Sequence, residues 1–61
     1  MRLMKIEAEG EGYYINPGNI CYLRKVSEKV QIHMVDGTVF MTSNDNMARL
    51  SVDVDYALKL S

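Results

Sequence analysis

Cys21 and His33 are the only cysteine and the only histidine in the chain. Together they raise the question of a thiolate–imidazole nucleophile, a chemistry that needs both side chains within hydrogen-bond reach. One Cys and one His cannot build a structural zinc site, which takes about four ligands. The sequence therefore predicts no metal, no cofactor and no catalytic residues. Asp53 and Asp55 stand two residues apart and resemble paired acids. They read better as solvated charges on an edge strand, where they would deter edge-to-edge aggregation. The cluster with most promise is aromatic and basic: Tyr22, Arg24, Gln31, His33 and Phe40. Aromatic groups on an open sheet can stack nucleobases at about 1–3 kcal/mol each, with nearby cations following the backbone. The same groups can instead pack against protein. Which side chains meet depends on the strands that carry them.

The stretch VQIHMVDGTVFMTS, Val30 to Ser43, reads as a β-hairpin. Asp36-Gly37 suits the two positive-φ positions of a type I′ turn. A two-residue loop then sets Met34 opposite Val39, His33 opposite Phe40 and Ile32 opposite Met41. Side chains alternate across a strand, so Val30, Ile32, Met34, Val39 and Met41 share one apolar face. Upstream, Ile20 to Val26 is a second β-rich run. A tight turn at Ser27-Glu28 pairs Leu23 with Ile32 and Cys21 with Met34, giving a three-stranded meander. Cys21 is then a small core hydrophobe, on the opposite face from His33. The outer face carries Tyr22, His33 and Phe40 in a row, flanked by Arg24 and Gln31.

Before the meander, Asn16-Pro17-Gly18-Asn19 suits a type II turn, with Pro presetting φ and Gly taking the positive φ. Tyr13-Tyr14-Ile15 is a short strand, and Leu3 to Ala8 a further candidate. Glu9-Gly10-Glu11-Gly12 between them reads as a flexible loop. It is no phosphate cradle, because no helix follows and the glutamates would repel an anion.

The C-terminal third admits two readings. Ser43 and Asn44 are good helix N-caps, and Asp45 favours the positive end of a helix dipole. Yet Val52, Val54, Tyr56, Leu58 and Leu60 alternate with Asp53, Asp55, Ala57, Lys59 and Ser61. On a helix, Val52, Tyr56 and Leu60 would be left on a second, unsupported side. The preferred reading is a short helix over residues 44–50 and a strand over 52–60; one long helix is the alternative.

The bulk numbers narrow the setting. At 61 residues, one small domain is expected, spanning residues 1–61. Such a chain buries only about 60% of the surface its unfolded form exposes, so self-association is the remaining support once disulfide and metal are set aside. A composition of 48% hydrophobic and 25% charged residues is that of a folded protein. No run approaches the ~18 apolar residues of a membrane span, and the start, Met1 to Glu7, is too charged for a signal peptide. A lone Cys without an export signal suggests a cytoplasmic setting. The net charge of −1 offers no overall attraction to nucleic acid. The middle is locally basic at Arg24, Lys25 and Lys29, and the N-terminal part acidic at Glu7, Glu9 and Glu11.

Two resemblances rest on these segments. YYINPGNICYL followed by VQIHMVDGTVFMTS resembles the small FlbD-type flagellar proteins over Tyr13 to Ser43. Those chains have an Asn-Pro turn after a strand, a hairpin closed by a residue-Gly turn, and a C-terminal helix. The alternating SVDVDYALKL departs from their charged helix. Ile20 to Leu60 also resembles part of LytTR-type DNA-binding domains, where I-x-Y-L, a V-x-I-H-x-x-D-G hairpin, a Ser near the helix start and a further strand occur in this order. Those domains are longer and usually basic. Both resemblances imply a small, strand-rich cytoplasmic accessory or regulatory protein.

The expected fold is α+β, mainly β: a small antiparallel sheet or open barrel of four to six strands, with one short helix near residues 44–50. The expected core is Ile6, Ile15, Cys21, Leu23, Val30, Ile32, Met34, Val39, Met41, Met47 and Leu50. The expected function is that of a non-catalytic interaction module. It binds itself as a homo-oligomer and an unidentified protein partner, with no membrane contact. The alternative is a nucleic-acid binder using the aromatic and basic sheet face.

Overall fold

The computed structural model of the chain describes residues 3–60. Met1 and Arg2, part of the charged start, and Ser61, the last member of the alternating run, lie outside the described residues. Strands β1 (Met4–Ala8) and β2 (Glu11–Ile15) form an antiparallel hairpin. Its loop is only Glu9-Gly10, at φ 53° and 81°. Two successive positive φ values are the signature of a type I′ turn, whose twist suits the flanking strands. The acidic-glycine stretch is therefore a tight turn, not a flexible loop. Met4, Ile6 and Ala8 are buried while Lys5 and Glu7 are exposed, the period of two that a half-buried strand requires.

The chain then makes a 3-10 turn over Pro17–Asn19. Asn16 Oδ1 accepts from the Gly18 N–H at 2.9 Å, and the Asn19 N–H donates to the Asn16 carbonyl at 3.0 Å. Gly18 does not take the positive φ of the expected type II turn. The Asn16 side chain mimics one turn of backbone and holds Pro17 at the first helical position, where its missing N–H costs nothing.

Strands β3 (Ile20–Val26), β4 (Lys29–Met34) and β5 (Val39–Met41) form the expected meander. Ser27-Glu28 closes the first hairpin and Leu23 faces Ile32, as the alternation required. The ladder slips beyond that point. Ile20, not Cys21, pairs with Met34, because a bulge between Ile20 and Tyr22 leaves Cys21 as the extra residue. Cys21 is exposed, so it is not a core hydrophobe.

The second hairpin is shifted by one residue from its expected register: His33 faces Val39, Ile32 faces Phe40 and Gln31 faces Met41. The Met34 N–H donates to the Thr38 carbonyl at 2.8 Å, which closes a three-residue loop of Val35, Asp36 and Gly37. Gly37 alone in that loop has positive φ, at 94°. That is the three-residue hairpin loop, a turn followed by a left-handed glycine, rather than the two-residue type I′ loop. Asp36 Oδ1 accepts from the Thr38 N–H at 2.9 Å and secures it. A slip of one residue exchanges the two faces of a strand. Phe40 therefore turns toward the core, and Val39 and Met41 turn out.

A single bridge between Ala8 and Thr42, together with the Ser43 N–H donating to the Glu7 carbonyl at 3.1 Å, stitches β1 to the end of β5. Thr42 is buried there, and its Oγ1 donates to the Val30 carbonyl at 2.7 Å. The core between the sheets and the helix contains Met4, Ile6, Ile15, Val30, Ile32, Leu50 and Ala57, with Leu23, Met34, Phe40 and Val54 packed against it. Val39 and Met47, expected inside, are exposed, and Met41 is half-buried on the outer side.

The C-terminal third is one helix, α1 (Met47–Lys59), and the expected strand over residues 52–60 is not formed. Asn46, not Ser43 or Asn44, caps it, with Oδ1 accepting from the Arg49 N–H at 3.0 Å. Arg49 and Asp53 pair at 3.4 Å one turn apart, which adds modest local support. Leu50 and Ala57 are buried and Val54 half-buried, so a helical stripe meets the core. Asp53 and Asp55 are helix residues, not charges on an edge strand. The fold is thus α+β and mainly β: among the described residues, five short antiparallel strands in two sheets, with one helix.

Candidate functional site

The outer face of the meander gathers four of the five residues singled out in the sequence. Tyr22 and His33 are cross-strand partners, and their rings stack at 4.2 Å between centroids, 13° from parallel. His33 Nε2 lies 3.0 Å from Gln31 Oε1, so the tautomer protonated at Nε2 donates to the amide oxygen. Arg24 sits across from Gln31. The ring and the amide hold His33 from two sides, and the strand ladder places all four groups on one surface.

Phe40 is not among them. It lies on the inner face, where its ring meets Tyr13 at 4.9 Å and 53°. Val39 takes its place beside His33, and Met41 lies beside Gln31. The row is therefore Tyr22–His33–Val39, with two rings rather than three. The Tyr13 hydroxyl donates to Glu11 Oε2 at 3.1 Å, and that hydrogen bond, followed by the carboxylate charge, raises the phenol above its ordinary value of 10.0.

Cys21 is exposed at the strand bulge, while His33 is engaged by Tyr22 and Gln31. Among the described residues, no three His, Cys, Asp or Glu side chains gather where they could hold a metal ion. Asp36 is held below its ordinary value of 3.8, first by the hydrogen bond from the Thr38 N–H, a contact that serves the turn.

A second surface is on α1. Val52 and Tyr56 in α1 and Leu60 at its C-cap follow one another at intervals of four, so they form one stripe. All three are exposed, at 62%, 63% and 45%. The spacing was visible in the sequence, where it counted against a helix because nothing in the chain could cover it. The helix forms and the stripe stands uncovered. Beside it, a groove of about 530 Å³ runs between β1 and α1, with Leu3, Leu50, Tyr56 and Ala57 among its walls. No described helix is long and apolar enough to cross a membrane.

No protein-family model, curated protein or solved structure matches this chain.

Proposed function

We propose that this chain is a small non-catalytic interaction module that self-associates through α1 and serves a partner protein in an accessory or regulatory role. The observation that carries this reading is the exposed stripe Val52–Tyr56–Leu60. An amphipathic helix normally spends its apolar residues on one side; α1 has a second apolar side in addition to the one the core uses. Two copies packed antiparallel about Tyr56 would bury both stripes in one self-complementary contact, as a two-fold interface requires. The free thiol of Cys21 fits a reducing, cytoplasmic setting.

The available surface bounds the strength. A standard interface takes about 800 Å² from each partner, roughly a fifth of the 4232 Å² that this chain exposes. One helix stripe supplies less than that, so the dimer is expected to dissociate in the micromolar range. Sedimentation equilibrium from low to high micromolar concentration tests it. A monomer–dimer equilibrium supports the reading, and a monomer throughout removes self-association.

The stacked Tyr22–His33 pair beside Arg24 is the observation behind a nucleic-acid reading. Its rings already stack on each other, and Phe40, the expected third ring, faces inward. Titration with single- and double-stranded oligonucleotides at about 50 mM salt, where phosphate attraction is strong, decides it. Tight binding would replace the protein-interaction reading.

A further inference from the structure

The groove between β1 and α1 has an unusual wall. Its wall takes in five consecutive residues of β1 and its approach, 3–7, with Thr42, Ser43 and Asn44 alongside. Side chains of a strand alternate between faces, so only the edge of a strand presents consecutive residues to one cavity. The direction of the backbone confirms this. The Glu7 carbonyl accepts from Ser43 N–H, so in β1 the odd-numbered residues turn their backbone groups away from β2. Met4, Ile6 and Ala8 exchange bonds with β2, following the alternation of an antiparallel ladder. Past Ser43 the chain leaves toward α1, and the N–H and C=O of Lys5 face the groove without a backbone partner among the described residues.

We infer that this groove accepts an extended segment of a partner protein, which adds as a strand to the free edge of β1 with α1 at its back. This is strand addition, in which main-chain bonds give affinity and alternate side chains give selectivity. The dimensions agree. At strand spacing of about 4.8 Å, sheet thickness of about 10 Å and rise of about 3.3 Å, one extended residue occupies roughly 160 Å³. The groove volume of about 530 Å³ therefore holds about three residues. Inward side chains of the segment would meet Leu50 and Ala57, which asks for apolar residues at alternate positions. The residue directly opposite Lys5 would be acidic, by cross-strand charge pairing.

A second copy of this chain is the poorer occupant. Each of its described strands already carries a hairpin neighbour, so a second copy would bring two strands to a groove backed by a helix. The occupant is an isolated extended segment; of the α1 stripe, Tyr56 also lines the groove, whereas Val52 and Leu60 do not.

The test uses the full chain, isotopically labelled, and a five-residue probe, acetylated and amidated, of sequence Val-Glu-Val-Thr-Val. On titration, amide shifts are expected at Lys5 and Glu7 and along the groove side of α1, with slower hydrogen exchange of the Lys5 amide. The same peptide N-methylated at its second and fourth residues is expected to bind about tenfold more weakly or worse, the loss of one to two backbone hydrogen bonds. This comparison leaves the protein unaltered, so misfolding cannot produce it. Val52→Asp is expected to abolish dimerisation and leave these shifts in place. Equal binding of both peptides, shifts confined to Val52 and Leu60, or no shifts at millimolar probe would each overturn the inference. Persistence of the Lys5 shifts only while the protein is dimeric would assign the groove to a second copy and also overturn it.

Discussion

Replacing Phe40 and Val39 separately by alanine tests the register of the second hairpin. Truncating a fully buried phenylalanine costs about 3–5 kcal/mol. Phe40 is half-buried and packs on the core, so roughly half to two-thirds of that applies, about 2–3 kcal/mol. Lost contact with the Tyr13 ring, of order 0.5–1.5 kcal/mol, is part of that figure. Val39 is 47% exposed, and its truncation should cost about 0.5 kcal/mol. A chain of 61 residues has a total stability of about 3–9 kcal/mol. Phe40→Ala thus removes a large share of it. With a urea slope of about 1 kcal/mol per molar, the Phe40→Ala midpoint should fall by about 2–3 M and the Val39→Ala midpoint by about 0.5 M. Both melts must be run at one protein concentration, because self-association moves midpoints by mass action. If Val39→Ala were as costly as Phe40→Ala at unchanged slope, the three-residue loop would be wrong and the two-residue register restored.

Other expectations follow from single contacts. Glu28 is exposed at φ 67°, and Glu28→Gly should stabilise the protein by about 0.5–1 kcal/mol by relieving a left-handed conformation, read as a higher melting temperature. Asn46→Ala removes the cap of α1 and should cost about 1 kcal/mol, visible as a melting point lower by about 4–8 °C. Asp36 has its carboxyl lowered from 3.8, so its contribution is full above that pH and lost as pH falls through the folded value. The stability difference between wild type and Asp36→Ala should hold from neutral pH to about 4 and shrink below it; a constant difference down to pH 2 would remove Thr38 as its partner. Ile32 is wholly buried, and Ile32→Ala should cost about 2–5 kcal/mol, enough to deplete folded protein in a solubility and thermal-melt assay.

What the residues disclosed and what they hid have physical reasons. The Leu23–Ile32 pairing followed from an apolar face that only one register makes continuous. Val30 and Ile32 were legible as core by the same alternation. The β4–β5 register was not, because Asp-Gly serves both the two-residue and the three-residue loop, and Val39 and Phe40 are both apolar. Pattern alone does not say which of them turns inward. Cys21 was misplaced by a bulge, which leaves no mark in residue type. The largest miss was α1, where apolar residues on two sides of a helix imitate a strand. Leu50, Val54 and Ala57 serve the core, and Val52, Tyr56 and Leu60 fill the gaps between them. Such doubled patterning becomes intelligible once the second stripe is given a partner. The β1 edge groove was invisible in sequence, since it depends on the chain leaving the sheet at Ser43.

The claim on which the functional account turns is that α1, and not the outer sheet face, is the surface between copies. Sedimentation velocity on wild type, Val52→Asp and Val39→Asp, at a concentration well above the dimer dissociation constant, tests it directly. Both substitutions place a charge at an exposed apolar site, so neither should unfold the chain. The account predicts a dimer for wild type and Val39→Asp and a monomer for Val52→Asp. A dimer that survives Val52→Asp and dissociates with Val39→Asp would contradict it, and would move the interface to the Tyr22–His33 face.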